Sequence, residues 1–125
     1  MNLFNKGEFV LHSGGRSDFK IDCDALTDGD WEALAAAIAG KSRPFFAAVG
    51  VPSGGLKLAS ALRKHATEGA ASLLIVDDVL TTGASMTLMR RECPLHGDMD
   101  IQGFVVFARG PMPQWVRALF VTEEM

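Results

Sequence analysis

The sequence predicts an α/β fold in which helices flank a mostly parallel sheet. Continuous apolar runs, typical of strands buried on both faces, recur at residues 45–51, 72–76, 104–107 and 118–121. Segments with apolar residues at helical spacing separate the first three of these runs. Strands that alternate with helices in this way favour a parallel sheet with helices on both of its faces.

The chain begins with a predicted hairpin and a helix. Residues 8–12 and 19–23 have the composition of short strands, and Ser13-Gly14-Gly15 supplies a turn between them. Thr27 fits a helix N-cap, with Asp30 as its capping-box partner. Gly40 is expected to end this helix. The apolar residues at helical spacing are Trp31, Leu34, Ala35 and Ile38.

Two further helices are predicted between the buried strands. The first carries Leu58, Ala59 and Leu62 and is expected to end near Gly69. The second spans about 86–92, and Pro94 is expected to stop it. The 72–76 strand is expected to end where the acidic pair Asp77 and Asp78 begins.

Length, composition and charge restrict the kind of protein. A chain of 125 residues suits a single domain over 1–125, and 48% hydrophobic residues exclude a disordered chain. No apolar run reaches the ~18 residues of a membrane helix, and no signal peptide is evident, so a cytoplasmic location is expected. A net charge of −3 gives no basic footprint for nucleic acid. Scattered cysteines and histidines are interpreted as structural or surface residues: Cys23, Cys93, His12, His65 and His96.

Three polar segments follow predicted strands, at 52–55, 77–85 and 108–111. Ligands of parallel sheets bind beyond the carboxyl ends of the strands. We therefore expect the three segments to converge on one crevice.

The segment LLIVDDVLTTGAS, residues 73–85, carries the strongest chemical signal. Its loop enters a helix and combines unpaired amides, a glycine and hydroxyl groups, which suits a phosphate monoester. The adjacent acids Asp77 and Asp78 need a partner for their charge, and a sugar diol or Mg²⁺ would supply one. A Walker-type nucleotide site is not expected, because Leu56 stands where the lysine of that motif belongs.

This segment resembles the signature with which type I phosphoribosyltransferases bind 5-phosphoribosyl-1-pyrophosphate (PRPP). The resemblance implies that Asp77 and Asp78 are catalytic residues that face the ribose hydroxyls and hold Mg²⁺ directly or through water. It also implies that the loop binds the 5′-phosphate through Thr81, Thr82, Gly83, Ala84 and Ser85. The loop VGVPSGGL, residues 49–56, resembles the pyrophosphate loop of the family and points to Pro52, Ser53, Gly54 and Gly55.

The N-terminal segment is similar to the opening of orotate phosphoribosyltransferases, where it forms part of a hood over the base. The match lies in Ser13, Gly14, Arg16, Ser17 and Phe19, and it implies a hood over about 1–25. By the same resemblance, Phe19, Lys20 and Arg109 bind the base. The implied activity is transfer of ribose 5-phosphate from PRPP to a nitrogenous base, with orotate or a related pyrimidine preferred, by a homodimer.

The sequence departs from these enzymes where they carry positive charge. His12 stands in place of the hood lysine, and Ser53 in place of the cation of the pyrophosphate loop. The enzymes also have a long mobile basic loop before the PRPP-motif strand, whereas only residues 65–71 lie there in this chain. Arg63 and Lys64 are the cations that remain nearby. These losses keep open an alternative, a non-catalytic PRPP or nucleotide sensor on the same fold.

Overall fold

The computed structural model of the chain describes residues 4–10, 16–21, 25–93 and 100–122. These residues form six strands and three helices. In chain order they are β1 Phe4–Val10, β2 Arg16–Ile21, α1 Asp28–Lys41, β3 Phe45–Gly50, α2 Leu56–Leu62, β4 Ser72–Leu80, α3 Ala84–Glu92, β5 Asp100–Arg109 and β6 Val116–Thr122.

Four strands form one parallel sheet in the order β3-β4-β5-β6. All four strands therefore end at one edge, the carboxyl edge of the sheet, and begin at the opposite amino edge. β1 and β2 pair antiparallel in a separate two-stranded sheet. Their bounds lie a few residues before the predicted strands, and the predicted turn Ser13-Gly14-Gly15 is outside the described residues.

Two hydrophobic cores cover the two faces of the sheet, as alternation along a buried strand requires. Leu74 and Val76 of β4 pack with α1 and α2, whereas Leu73 and Ile75 pack on the other face with Met86 of α3. Helices on both faces of a parallel sheet confirm the predicted α/β architecture. No helix in the described part of the chain is both long and apolar enough to cross a membrane.

The start of α1 is as predicted, and its end is not. The Thr27 hydroxyl accepts a hydrogen bond from the Asp30 amide at 3.1 Å, and the Asp30 carboxylate accepts one from the Thr27 amide at 2.8 Å. This capping box is confirmed. Gly40 does not end the helix, because the turn continues to Lys41 and the Ser42 amide closes it on the Ile38 carbonyl at 2.9 Å.

The α2 helix is shorter than predicted and does not reach Gly69. It gives way to a 3-10 turn over Arg63–His65, after which Ala66 is extended. The Thr67 amide then donates to the carbonyl of Phe45, the first residue of β3, at 2.7 Å. This hydrogen bond returns the chain to the amino edge of the sheet before β4 begins.

The β4 strand is longer than predicted, so Asp77 and Asp78 lie within it. On one side, the extended part of β4 is still paired with β5, as far as Leu80 and Ala108. On the other side, β3 ends at Gly50, which pairs with Val76. The acidic pair therefore lies just beyond the end of β3, at the carboxyl edge.

Candidate functional site

The acidic pair is held by its own backbone. The Asp77 carboxylate accepts a hydrogen bond from the Asp78 amide at 2.8 Å, and the Asp78 carboxylate accepts one from the Val79 amide at 2.7 Å. Both side chains are half-buried. The second oxygen of each carboxylate is not engaged by these backbone bonds, so a diol can compete for it as a hydrogen-bond donor.

Burial and the neighbouring acid raise the pKa of Asp77 to about 8. Burial is the larger cause, and the hydrogen bond with the Asp78 side chain and the repulsion from its charge add to it. At neutral pH the pair therefore shares a proton, which a bound cation would displace.

The predicted pyrophosphate loop, 52–55, lies against this pair. A Cβ atom on Gly54 would lie 2.5 Å from Oδ2 of Asp78, so only glycine allows the loop backbone this close to the carboxylate. Gly55 is equally confined, since its Cβ would lie 2.5 Å from the Val76 carbonyl oxygen. The Val51 amide donates to that same carbonyl at 2.9 Å, which anchors the loop to β4. The Pro52–Ser53 peptide bond is cis.

The predicted phosphate loop, 81–85, lines an open pocket. Its empty volume is about 240 Å³, which includes solvent-filled space at the mouth. Asp77 lies on the wall of this pocket, and Val79, Leu80 and Met86 complete it beside Thr81, Thr82, Gly83, Ala84 and Ser85. Gly83 adopts a left-handed conformation, φ 81°, at the start of α3. The Thr82 hydroxyl accepts from the Ala84 amide at 3.2 Å. Backbone amides, hydroxyls and a glycine here suit a phosphate group.

The third segment also reaches this region. Arg109 ends β5 one residue beyond the pair Leu80 and Ala108, so it lies at the carboxyl edge and is half-buried. Further along, Pro113 covers the phosphate loop, since a Cβ on Gly83 would lie 3.0 Å from its Cγ. All three segments predicted to converge therefore lie at one edge of the sheet.

Arg63 and Lys64, the cations that remain before the PRPP-motif strand, are not at this edge. They lie in the 3-10 turn after α2, next to the hydrogen bond from Thr67 to Phe45 at the amino edge. Lys64 forms an ion pair with Glu32 of α1. α2 runs antiparallel to the strands and carries its last residues away from the site. Within one chain, neither residue can meet a ligand at the acidic pair.

The remaining predicted site residues belong to the hood. Phe19 and Lys20 lie in β2, paired with Lys6 and Asn5 of β1. Their side chains are outside the described part of the structure, so their role in binding a base stays a prediction.

The acidic pair can contribute to a Mg²⁺ site without forming one alone. Among the described residues, no group of three or more His, Cys, Asp or Glu side chains comes together. Mg²⁺ in proteins is commonly held by one or two carboxylates, with phosphates of the substrate completing its shell. Asp77 and Asp78 fit the carboxylate part of that arrangement.

Two features of the site had no signal in the sequence. The contact between Gly54 and Asp78 depends on where β3 ends relative to β4, which apolar runs do not define. Pro113 was not predicted to reach the phosphate loop, because a proline after a strand indicates only a turn.

Solved structures of phosphoribosyltransferases share this fold. The orotate phosphoribosyltransferase from Aeropyrum pernix is 23% identical, with 95% of this chain and 88% of that one aligned at a TM-score of 0.74. The UMP synthase of Leishmania donovani is 17% identical over 95% of this chain and 33% of its own, at 0.71. A xanthine-guanine-hypoxanthine phosphoribosyltransferase from Helicobacter pylori is 16% identical over 77% and 80%, at 0.50. No protein-family model and no curated protein matches the chain.

At these identities the likeness concerns the fold. It confirms the type I phosphoribosyltransferase fold that the 73–85 segment predicted, over almost the whole chain.

Proposed function

We propose that this chain binds PRPP with Mg²⁺ and transfers its ribose 5-phosphate to a nitrogenous base, with orotate or a related pyrimidine preferred. The observation that carries the proposal is the position of the acidic pair. Asp78 touches the loop predicted for pyrophosphate, and Asp77 lines the pocket predicted for the 5′-phosphate. PRPP carries a ribose between two phosphate groups, and the position of the acidic pair between the two loops supports a ligand with this order of groups.

The reaction breaks the bond between C1 of the ribose and the pyrophosphate oxygen and forms a bond from C1 to a ring nitrogen of the base, which loses its N–H proton. The reacting carbon gains positive character as pyrophosphate departs. Asp77 and Asp78 would orient the sugar through its hydroxyls, and Mg²⁺ would neutralise charge on the diphosphate. The proposal requires no nucleophilic side chain.

Orotate is favoured over a purine by two observations. The fold matches the Aeropyrum pernix orotate enzyme more closely than the Helicobacter pylori purine enzyme. Arg109, at the carboxyl edge, carries a planar guanidinium whose geometry suits a carboxylate such as that of orotate.

A second candidate is a PRPP sensor without transferase activity. It is favoured by the placement of Arg63 and Lys64 at the amino edge, away from the leaving pyrophosphate. Charge stabilisation at such a position contributes ~3 kcal/mol for one well-placed donor, so its absence slows catalysis more than binding.

Calorimetry with PRPP·Mg²⁺ tests the binding that both candidates share. A steady-state assay with PRPP, Mg²⁺ and a panel of orotate, uracil, hypoxanthine, guanine and adenine then separates them. Pyrophosphate release with orotate supports the transferase, and tight PRPP binding without release for any base supports the sensor. A chain that fails to bind PRPP contradicts both.

A further inference from the structure

We propose that Lys57 supplies the positive charge that holds the diphosphate of PRPP, in place of a cation within the pyrophosphate loop. This inference rests on the proposed function. It assigns a specificity role to a residue of α2 that the sequence alone does not single out.

The distribution of cations carries the inference. Nine Lys and Arg side chains lie in the part of the chain whose side chains the structure describes, and seven belong to segments away from the carboxyl edge. These seven are Lys41, Arg43, Arg63, Lys64, Arg90, Arg91 and Arg117. Lys57 and Arg109 are the two that remain at the carboxyl edge, and Arg109 ends a strand on the far side of β4 from the 52–55 loop.

Several of the other cations are also engaged elsewhere. Arg43 pairs with Asp100 at 2.7 Å, and Lys64 pairs with Glu32. The Arg117 guanidinium donates to the Lys41 carbonyl at 2.6 Å, and Arg90 lies 4.8 Å over the ring of Trp115. These contacts hold positive charge at the amino edge and along α3, where a ligand of the acidic pair does not reach.

Lys57 stands two residues after the loop that meets the acidic pair. The loop is fixed to β4 through Val51 and Gly55, and the Leu56 amide donates back to the Ser53 carbonyl at 3.2 Å. The backbone of Lys57 is therefore held close to the loop. Side chains in a helix lean toward its N-terminal end, which for Lys57 is the direction of the loop.

The side chain of Lys57 is exposed and, within the described residues, makes no ion pair. A diphosphate with one Mg²⁺ keeps net negative charge, and the two acids beside it would repel that charge. A flexible ammonium at the mouth of the loop offsets this repulsion, and it contacts the diphosphate without contacting the 5′-phosphate pocket on the other face of β4.

Calorimetry with Mg²⁺ present, on Lys57→Gln and on Lys41→Gln, tests the inference. Lys41 is an exposed lysine at the amino edge, so its variant has the same charge change in the same residue type. We expect Lys57→Gln to weaken PRPP and pyrophosphate about tenfold and to change ribose 5-phosphate less than twofold. Lys41→Gln should leave all three ligands unchanged, and Lys57→Arg should retain most of the affinity for PRPP.

The two proposals fail in different ways. Equal PRPP affinity in Lys57→Gln and Lys41→Gln, with the wild-type chain binding PRPP, overturns the role of Lys57 and leaves the proposed function intact. An equal loss for ribose 5-phosphate and PRPP in Lys57→Gln also overturns it, because the effect is then not specific to the diphosphate. A wild-type chain that binds neither PRPP nor pyrophosphate overturns the proposed function, and this inference with it.

Discussion

Gly54 lies directly against the carboxylate of Asp78, so that any Cβ atom at position 54 would come within 2.5 Å of Oδ2. This relationship joins two segments that are 24 residues apart in the sequence into one continuous surface. The loop and the acidic pair therefore cannot be altered independently: a side chain added to the loop changes the orientation of the carboxylate.

Gly54→Ala should impair PRPP binding without unfolding the protein. The added methyl group meets the end of a side chain and not a backbone atom, so Asp78 can rotate away and the fold can persist. Because the displaced carboxylate no longer faces the sugar, we expect at least a tenfold loss of PRPP affinity by calorimetry. Gly40→Ala is the matched control, since an added Cβ there meets nothing within 4 Å. Equal PRPP affinity in the two variants would show that the contact does not position Asp78.

The acidic pair should make stability depend on pH. The folded-state pKa of Asp77 is raised to about 8, above its ordinary value of 3.8, so the folded chain retains a proton that the unfolded chain has released. The free energy of unfolding should therefore fall as pH rises from about 4 to about 8. Above pH 8 the titration of Asp77 should change it little. Asp77→Asn removes the titration and keeps the hydrogen-bond acceptor.

We expect Asp77→Asn to be more stable than the wild-type chain at pH 9, by roughly 1–3 kcal/mol. The difference is smaller than the full pKa shift implies, because solvent reaches the half-buried carboxylate and screens its charge. The two proteins should be similar near pH 4. Urea unfolding at both pH values measures the difference. A wild-type chain that gains stability relative to the variant between pH 5 and pH 9 contradicts the raised pKa.

Both acids should be needed for PRPP binding and not for folding. We expect Asp77→Asn with Asp78→Asn to lower PRPP·Mg²⁺ affinity by about 50-fold or more, because the amides keep the shape and remove the charge that attracts the ion and the diol. Melting temperature should not fall at pH 7, and the loss of the Asp77 titration should raise it. Glu68→Gln, an exposed charge change before β4, should bind PRPP normally. Unchanged affinity in the double variant contradicts the assignment of the ribose site.

Binding should also release the proton held by the acidic pair. Mg²⁺ and the sugar hydroxyls favour the ionised carboxylates, whereas the free protein keeps Asp77 protonated at pH 7. The apparent binding enthalpy should therefore depend on the ionisation enthalpy of the buffer. PRPP can also release protons when it binds, and the Asp77→Asn variant measures that contribution. If the binding enthalpies of the variant and the wild-type chain depend on the buffer in the same way, Asp77 does not titrate on binding.

The fold was largely predictable from the sequence, because strands buried on both faces of a parallel sheet are continuous apolar runs. Such runs can be recognised without knowing which residues pair across the sheet. The ends of elements were less predictable. β4 extends past the apolar run since β5 continues beside it to Ala108, and α2 stops early since Thr67 bonds to Phe45. Both depend on contacts distant in the sequence, which local patterns do not contain.

Within the site, residue types indicated the chemistry, and the strand register determined the neighbours. The hydroxyls and Gly83 singled out residues 81–85 as a candidate phosphate loop. The sequence shows that Arg63 and Lys64 follow α2 but not which edge of the sheet they reach. The antiparallel path of α2 decides that, and it leaves Lys57 at the carboxyl edge instead.

Arg109 should determine recognition of the base. It lies at the end of β5, one residue beyond the pair that β4 forms with Ala108, and so stands at the same edge as the acidic pair. Burying the carboxylate of orotate requires a charge-assisted donor, and a guanidinium can provide two parallel hydrogen bonds to it. A purine has no carboxylate and gains nothing from this arginine.

We expect orotate to bind in the presence of pyrophosphate and Mg²⁺, and Arg109→Ala to reduce that binding below detection while changing PRPP affinity less than threefold. Arg91→Ala is the matched control, because Arg91 is exposed in the last turn of α3. Calorimetric titration of orotate, hypoxanthine and guanine into each protein measures the selectivity. Tighter binding of either purine than of orotate would contradict the assignment of the base while leaving the PRPP site standing, since the acidic pair and the two phosphate loops do not include Arg109.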